Sequence, residues 1–222
     1  MFMNKKGKVD VEARFKRFFD VLGNFKFLPA GRITAGAGSG RNVTLFNCYV
    51  MGTIQDTLYS IFENLKEAAL TMQQGGGIGY DFSPLRPKNA PVKHLDADAS
   101  GPLTFMDVWD MMCKTIMSAG SRRGAMMATM ICTHPDIIRF ITAKHDPLKL
   151  RMFNVSVMCT DDFMTAVRED SEWILKHKSP PAKPLAIDGA LHDDDGNHYY
   201  EVVQAKDIWN LIMQNTYDHA EP

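Results

Sequence analysis

The residues with most chemistry to offer are four cysteines, Cys48, Cys113, Cys132 and Cys159, and the glycines of the stretch MQQGGGIGYDF (72–82). A thiolate is a nucleophile, an electron donor and a metal ligand. Consecutive glycines cost backbone entropy but leave amides bare, so a sugar or phosphate can approach where side chains would block it. In TLFNCYV (44–50), Cys48 stands beside the polar Asn47 in a run rich in β-branched and aromatic residues, which reads as a strand. A thiol on one strand and a glycine run opening the next can face a common ligand. From the residues alone this suggests a thiol-using enzyme with a nucleotide-like substrate. The competing reading is that Gly75–Gly79 only permits close helix–strand packing.

Other familiar sites are excluded. The cysteines are widely spaced with no C-x-x-C, which argues against a disulfide scaffold or zinc knuckle and for a reducing cytoplasm. Cys113, Cys132 and Cys159 read as buried thiols. GAGSGRNVT (36–44) lacks the lysine of a P-loop and precedes a strand, whereas a dinucleotide fingerprint follows one. HDDDGNHYYE (192–201) is acidic, yet Leu191 stands five before Gly196, where a calcium loop needs its first carboxylate. It reads as an Asp-Gly turn between two short polar strands. The seven histidines include no i, i+4 pair with a glutamate between, so no metal site is expected. Lys plus Arg total 25 against 26 Asp plus Glu, which leaves no field to recruit nucleic acid or anionic lipid. Lys5, Lys6 and Lys8 read as a solvated chain end. No apolar run suits a membrane span, and MFMNKKGKVD lacks a signal-peptide core. A cytoplasmic protein is expected.

The elements that must position these residues alternate. Phe15, Phe18, Phe19 and Leu22 form an amphipathic helix that GNFKFLPAGR (23–32) breaks. A strand over 42–51 follows. A helix over 57–74 carries the stripe Leu58, Ile61, Phe62, Leu65, Ala69 and Met72, with Asp56 or Thr57 as its N-cap. Next come a strand at 77–82, a helix from Pro102 through Phe105, Trp109, Met112 and Ile116, a glycine-rich break at 119–124 and a buried strand at 125–133. A helix starting at Pro135, a strand at 152–159 and a helix at 161–170 complete the alternation. A polar, proline-rich stretch (179–198) interrupts it before a last helix through Ile208, Leu211 and Ile212. The order predicts an α/β fold with parallel strands, in which ligands gather at the carboxyl ends. The final helix has nothing after it to pack on, which reads as the front part of something longer. The 222 residues, 45% of them hydrophobic, suit one large domain or part of a longer protein.

Four blocks closely resemble the catalytic chain of ribonucleotide reductases: FLPAGRITAGAGSGRNVTLFNCYV (27–50), EAALTMQQGGGIGYDFSPLRP (67–87), ASGPLTFMDVWDMMCKTIMSAGSRRGAMMATM (99–130) and HPDIIRFITAK (134–144). They look most like the adenosylcobalamin-dependent class II branch, chiefly through QQGGGIGYDFSPLRP, and the match runs from Phe27 to Glu221. The resemblance implies a short N-terminal helical segment (1–26) and, over 27–222, the first half of a ten-stranded α/β barrel made of two antiparallel halves. It implies that Cys48 is the cysteine that, with a second one on a later strand, gives electrons to the ribose and becomes a disulfide. Asn47 and Cys48 match positions where the substrate ribose rests, and Gly76 and Gly77 match backbone positions that hold the sugar. Ala30 stands where iron-dependent relatives use a threonine near the substrate phosphate, so only its backbone can serve. Asp56 and Arg86 match residues that bind the ribose and phosphate of a deoxynucleoside triphosphate effector, with Arg122 and Arg123 as further phosphate donors. Without that ligand Asp56 reads as a helix cap and Arg86 as a solvated loop charge. The loop 119–124 matches the segment relaying effector identity to substrate, and the helices 57–74 and 102–118 match those that pair across a homodimer.

The sequence departs from the family in lacking an Asn-Pro-Cys-Gly-Glu segment, where the radical-bearing cysteine sits, and the C-terminal cysteine pair. It also lacks the second redox cysteine's strand, the other half-barrel's phosphate loop and an N-terminal adenine-nucleotide cone. The chain therefore reads as part of a reductase, inactive alone. It would be completed by a C-terminal half, adenosylcobalamin and a thioredoxin-like reductant acting on a ribonucleotide. The alternative is a non-catalytic nucleotide-binding or dimerising module.

Overall fold

The runs MMATMI and FNVSVM place buried apolar residues at every second position, as strands packed on a core require. In the computed structural model, which describes residues 10–92, 95–116 and 124–222, they lie side by side in a four-stranded sheet, the first run inside it and the second at its edge. The chain divides into two compact units, Met1–Asn47 and Cys48–Pro222.

In the first unit, helix α1 (Val11–Leu22) is capped by Asp10, whose side chain accepts from the Ala13 amide, and a short 3-10 turn, Gly23–Phe25, closes it. The expected apolar face of Phe15, Phe18, Phe19 and Leu22 is present and exposed. Helix α2 (Gly31–Gly36) follows, with Ala30 at its N-cap.

The second unit begins with β1 (Cys48–Val50), much shorter than the expected strand over 42–51. Helix α3 (Leu58–Gln73) leads to β2 (Gly77–Asp81), and a small antiparallel pair, β3 (Pro91–Val92) and β4 (Ala97–Asp98), precedes α4 (Pro102–Thr115). Then come β5 (Met126–Ile131), α5 (Ile137–Ile141), β6 (Phe153–Met158) and α6 (Asp161–Glu169). Strands β1, β2, β5 and β6 form one four-stranded sheet in that order, every pair parallel, so the α/β architecture holds. The chain then makes an antiparallel hairpin of β7 (Glu172–His177) and β8 (His198–Gln204) before α7 (Ala205–His219). The Asp-Gly turn lies between them as expected, but the partner strand EWILKH was not. Its mixture of charged and apolar residues has no clean period, and the antiparallel ladder with β8 makes it a strand. Trp173 Nε1 donates to the Cys132 carbonyl at 3.1 Å and the Lys176 amide to the Thr133 carbonyl at 2.7 Å, tying β7 across the carboxyl end of β5.

The structure decides between the two expected caps of α3 and corrects its buried face. The α3 cap is Thr57, whose hydroxyl accepts from the Ser60 amide at 3.2 Å, and not Asp56. The face α3 buries is Ile61, Asn64, Ala68 and Met72, leaving Leu58 and Phe62 of the expected stripe exposed. Helix α4 ends at Thr115; positions 117 and 118 of its expected span lie outside the described residues. The core is built on four aromatic rings at edge-on angles. Trp109 lies 6.0 Å from Tyr80 and 5.7 Å from Phe82, and Phe82 lies 5.9 Å from Phe153. Each such fully buried side chain contributes about 1.5–3 kcal/mol. Among the described residues, no helix is long and apolar enough to cross a membrane.

The glycine run joins α3 to β2. Gly75 has φ +88°, a left-handed turn that only glycine adopts without strain, and its amide closes on the Met72 carbonyl at 2.8 Å. At Gly76 an added Cβ would stand 2.7 Å from the Tyr49 ring. At Gly79 the nearest atom to an added Cβ is 3.7 Å away, an ordinary contact. Gly76→Ala is therefore expected to destabilise the fold by about 1–3 kcal/mol through overpacking, and Gly79→Ala by less than about 1 kcal/mol. Urea unfolding of both variants checks this; equal losses would remove the Tyr49 contact as the reason for Gly76.

Candidate functional site

The parallel register places Cys48 directly opposite Gly77, each the first residue of its strand. Cys48 is exposed, because β1 is an edge strand and its amino end is uncovered within its unit. The inert buried thiol that its apolar neighbours suggest is not what forms. Gly76 is buried, with its amide donating to the Thr71 carbonyl at 3.1 Å, while Gly77 is half-buried. The glycine run thus serves packing at Gly75 and Gly76 and opens toward Cys48 at Gly77. Asn47 and Ala30 belong to the first unit and are exposed there; the Ala30 carbonyl accepts from the Ile33 amide at 2.9 Å. Arg122, Arg123 and the loop 119–124 except Gly124 lie outside the described residues.

Asp56 and Arg86, thirty residues apart, are brought together. Arg86 Nε donates to Asp56 Oδ2 at 2.8 Å and the Arg86 amide to Oδ1 at 3.1 Å. Arg86 is thus not a solvated charge: the side chains are 28% and 27% exposed, partly withdrawn from water. A cavity of about 320 Å³ opens beside the pair, with Leu58, Ile61 and Phe105 as apolar wall and Ser100 as a polar one. An arginine fork, a carboxylate and an apolar wall can bind phosphate, hydroxyl and a ring respectively.

Residues that sequence reasoning missed support this pair. Ser179 Oγ lies 3.4 Å from Asp56 Oδ2, and the Tyr200 hydroxyl donates to the Ser179 carbonyl at 2.8 Å, so the β7–β8 hairpin holds the carboxylate from the far side. Beneath them His134 and His177 meet edge-on at 5.2 Å. The His134 ring donates from Nε2 to the Leu85 carbonyl at 2.9 Å and accepts the Asp136 amide on Nδ1 at 3.0 Å, which makes it the neutral Nε2–H tautomer. His177 Nδ1 accepts the Ser179 amide at 3.0 Å. Burial first, and then the neighbouring His134, push His177 down to about 4, against an opposing pull from Asp56. Burial likewise lowers His134. No local pattern signals these contacts, since Asp56 and Ser179 are 123 positions apart.

The carboxyl ends of the parallel strands, where ligands were expected, line a larger cavity of about 850 Å³. Ser83, Ile131 and Thr160 face charged Asp162, Glu172 and Lys178 across it. Lys176 there is already paired with Asp193 at 2.8 Å. Cys113 and Cys132 are buried as expected, and burial pushes Cys113 up to about 11. Cys159 is exposed, against expectation, because it lies one residue past the end of β6.

A family model described as "Ribonucleotide reductase, barrel domain" matches residues 46–222. A vitamin B12-dependent ribonucleoside-diphosphate reductase of Thermoplasma acidophilum is 33% identical over 207 residues, covering 93% of this chain and 25% of that one. The protein of the same name from Mycobacterium tuberculosis is 40% identical over 156 residues, covering 70% and 22%. A ribonucleoside-diphosphate reductase subunit alpha of Helicobacter pylori is 27% identical over 217 residues, covering 92% and 27%. The chain spans about a quarter of the length of these relatives.

The lowered His177 makes stability depend on pH. It is neutral in the fold down to about 4, whereas in the unfolded chain it takes up a proton below about 6.5. Its contribution is complete above pH 6.5 and is lost as the pH falls toward 4. Between pH 7 and pH 4.5 the wild type should lose about 2 kcal/mol more than His177→Asn, whose amide oxygen can still accept from Ser179. Urea unfolding of both proteins at the two pH values checks this, and equal losses would mean that His177 is not held neutral.

Proposed function

The chain belongs to the ribonucleotide reductase family through its barrel domain, and on that premise we propose that it forms the first half of a ten-stranded barrel, made of two antiparallel halves, in a longer enzyme. That enzyme reduces the 2′-hydroxyl of a ribonucleotide by thiyl-radical chemistry. The observation that carries the reading is the register that sets the exposed Cys48 thiol beside Gly77. In the reaction Cys48 supplies one of two thiols; the pair loses two electrons and becomes a disulfide as the hydroxyl leaves as water. The partner cysteine and the radical cysteine are not in this chain. Asn47, Gly76, Gly77 and the Ala30 backbone would position the substrate, and a thioredoxin-like dithiol would return Cys48 to the thiol.

The relatives named vitamin B12-dependent support adenosylcobalamin, which supplies a radical when bound, as the longer enzyme's cofactor. The 850 Å³ cavity at the carboxyl ends of the strands mixes apolar Ile131, Trp173 and Ile174 with charged Asp162, Glu172, Lys176 and Lys178, so it is not the continuous apolar face that a corrin packs against. The exposed apolar residues Leu58, Tyr59 and Phe62 of α3 and Met111 of α4, on helices that pack together, support pairing of two copies through this face.

Cys48→Ser in the full-length enzyme is expected to stop multiple turnover with a dithiol while leaving the circular dichroism spectrum unchanged, since the thiol is exposed. Wild-type turnover by this variant would remove the assigned role.

The Asp56–Arg86 pair and the adjoining cavity are proposed to bind the ribose and phosphate of a deoxynucleoside triphosphate effector, with Arg122 and Arg123 assisting. Arg86→Ala should weaken that binding by about 1.5–3 kcal/mol. Calorimetric titration of the four deoxynucleoside triphosphates, on protein shown to be folded, checks it. No binding by the folded wild type would leave the two residues as a structural ion pair.

A further inference from the structure

The β5–β6 ladder continues past both strands. At its start the Met126 amide donates to the Met152 carbonyl at 2.9 Å while Met126 stands opposite Phe153. At its end the Cys132 amide donates to the Met158 carbonyl at 3.1 Å, the same offset, which sets Cys132 opposite Cys159. Opposed residues of parallel strands share a face. Met126, Ala128, Met130 and Cys132 are the buried alternation of one strand; Phe153, Val155, Val157 and Cys159 are the matching alternation of the other. Neighbouring strands lie about 4.8 Å apart, inside the window of roughly 4.4–6.8 Å between Cα atoms that a disulfide spans.

We infer that Cys132 and Cys159 form a redox-active dithiol that closes to a disulfide on reaction with a small-molecule disulfide. The two thiols are not equivalent. Cys159 is exposed and takes the first attack; Cys132 is fully buried and can react only with its neighbour. The Thr160 hydroxyl, 4.0 Å from Cys132 Sγ, can donate to the thiolate that must form there. Burial pushes both thiols up, so the exchange is slow at neutral pH and faster in mild alkali.

The step balances. The Cys159 thiolate attacks the reagent disulfide and releases one small thiol. The Cys132 thiolate then attacks Cys159 Sγ and releases the second. The protein loses two electrons and two protons, and the reagent gains them as two thiols. The new bond ties the carboxyl ends of β5 and β6 beside Ile131, Thr133 and Thr160, which line the 850 Å³ cavity. This modification site is independent of the Cys48 chemistry, because Cys48 lies at the opposite end of the sheet and Cys113 is buried on α4.

The test is peptide mapping of the folded chain after exposure to glutathione disulfide, with remaining thiols blocked by a maleimide under denaturing conditions. Trypsin releases Cys132 in the peptide 124–139 and Cys159 in 152–168. The expected product is these two peptides covalently joined, two hydrogens lighter than their sum and separable by reduction. In Cys132→Ser a glutathione adduct should persist on Cys159, and in Cys159→Ser the Cys132 thiol should stay free until denaturation. A lasting glutathione adduct on wild-type Cys159, or maleimide on both cysteines after oxidation, would overturn the proposal.

Discussion

The Tyr49 ring lies where a side chain on Gly76 would have to be, with only 2.7 Å to an added Cβ. That exclusion governs how β1 meets β2. Because Gly76 is bare, β1 comes close enough to pair in parallel, Cys48 with Gly77 and Val50 with Gly79. The left-handed Gly75 turns the chain from α3 straight into that strand. A single methyl at Gly76 would have to displace the Tyr49 ring. Glycine's entropic cost of about 0.5–1 kcal/mol is thus offset by room for that ring.

Past the carboxyl ends of β1 and β2 the constraint is polar. A partly withdrawn carboxylate and guanidinium are tolerated because each finds several partners: Asp56 takes the Arg86 side chain, the Arg86 amide and Ser179. The hairpin that brings Ser179 also covers His134 and His177, which stay neutral because burial opposes charge and each has a backbone amide donating to Nδ1. An unpartnered buried polar group would cost about 1–3 kcal/mol, so losing one member loosens the rest. Asp56, which lines the cavity together with Arg86, is therefore also held by a residue 123 positions along the chain.

Much of the second unit was legible in the sequence. Period-two runs at 126–131 and 153–158 and period-3.6 runs in α3, α4 and α7 mark their elements because burial on one face leaves its imprint on residue type. The alternation of strand and helix predicts parallel pairing, and the four motif blocks bring Cys48, Gly77, Asp56 and Arg86 forward together. The boundaries were less legible. The residues 42–47 look like strand by composition, yet among the described residues of their unit none pairs with them as a ladder. EWILKH shows no clean alternation, and it becomes a strand by pairing with β8.

The residue types, by themselves, determined the α/β class, the family and the chemistry available, since these depend on local periodicity and on thiol, carboxylate and guanidinium groups that are present whatever the fold. Tertiary structure alone decided which of those groups meet. It exposed Cys48 by leaving β1 at an edge, paired Asp56 with Arg86 rather than capping α3, and opposed Cys132 to Cys159 across two strands. Each outcome rests on contacts between residues far apart in the chain, whose geometry no short window of sequence contains.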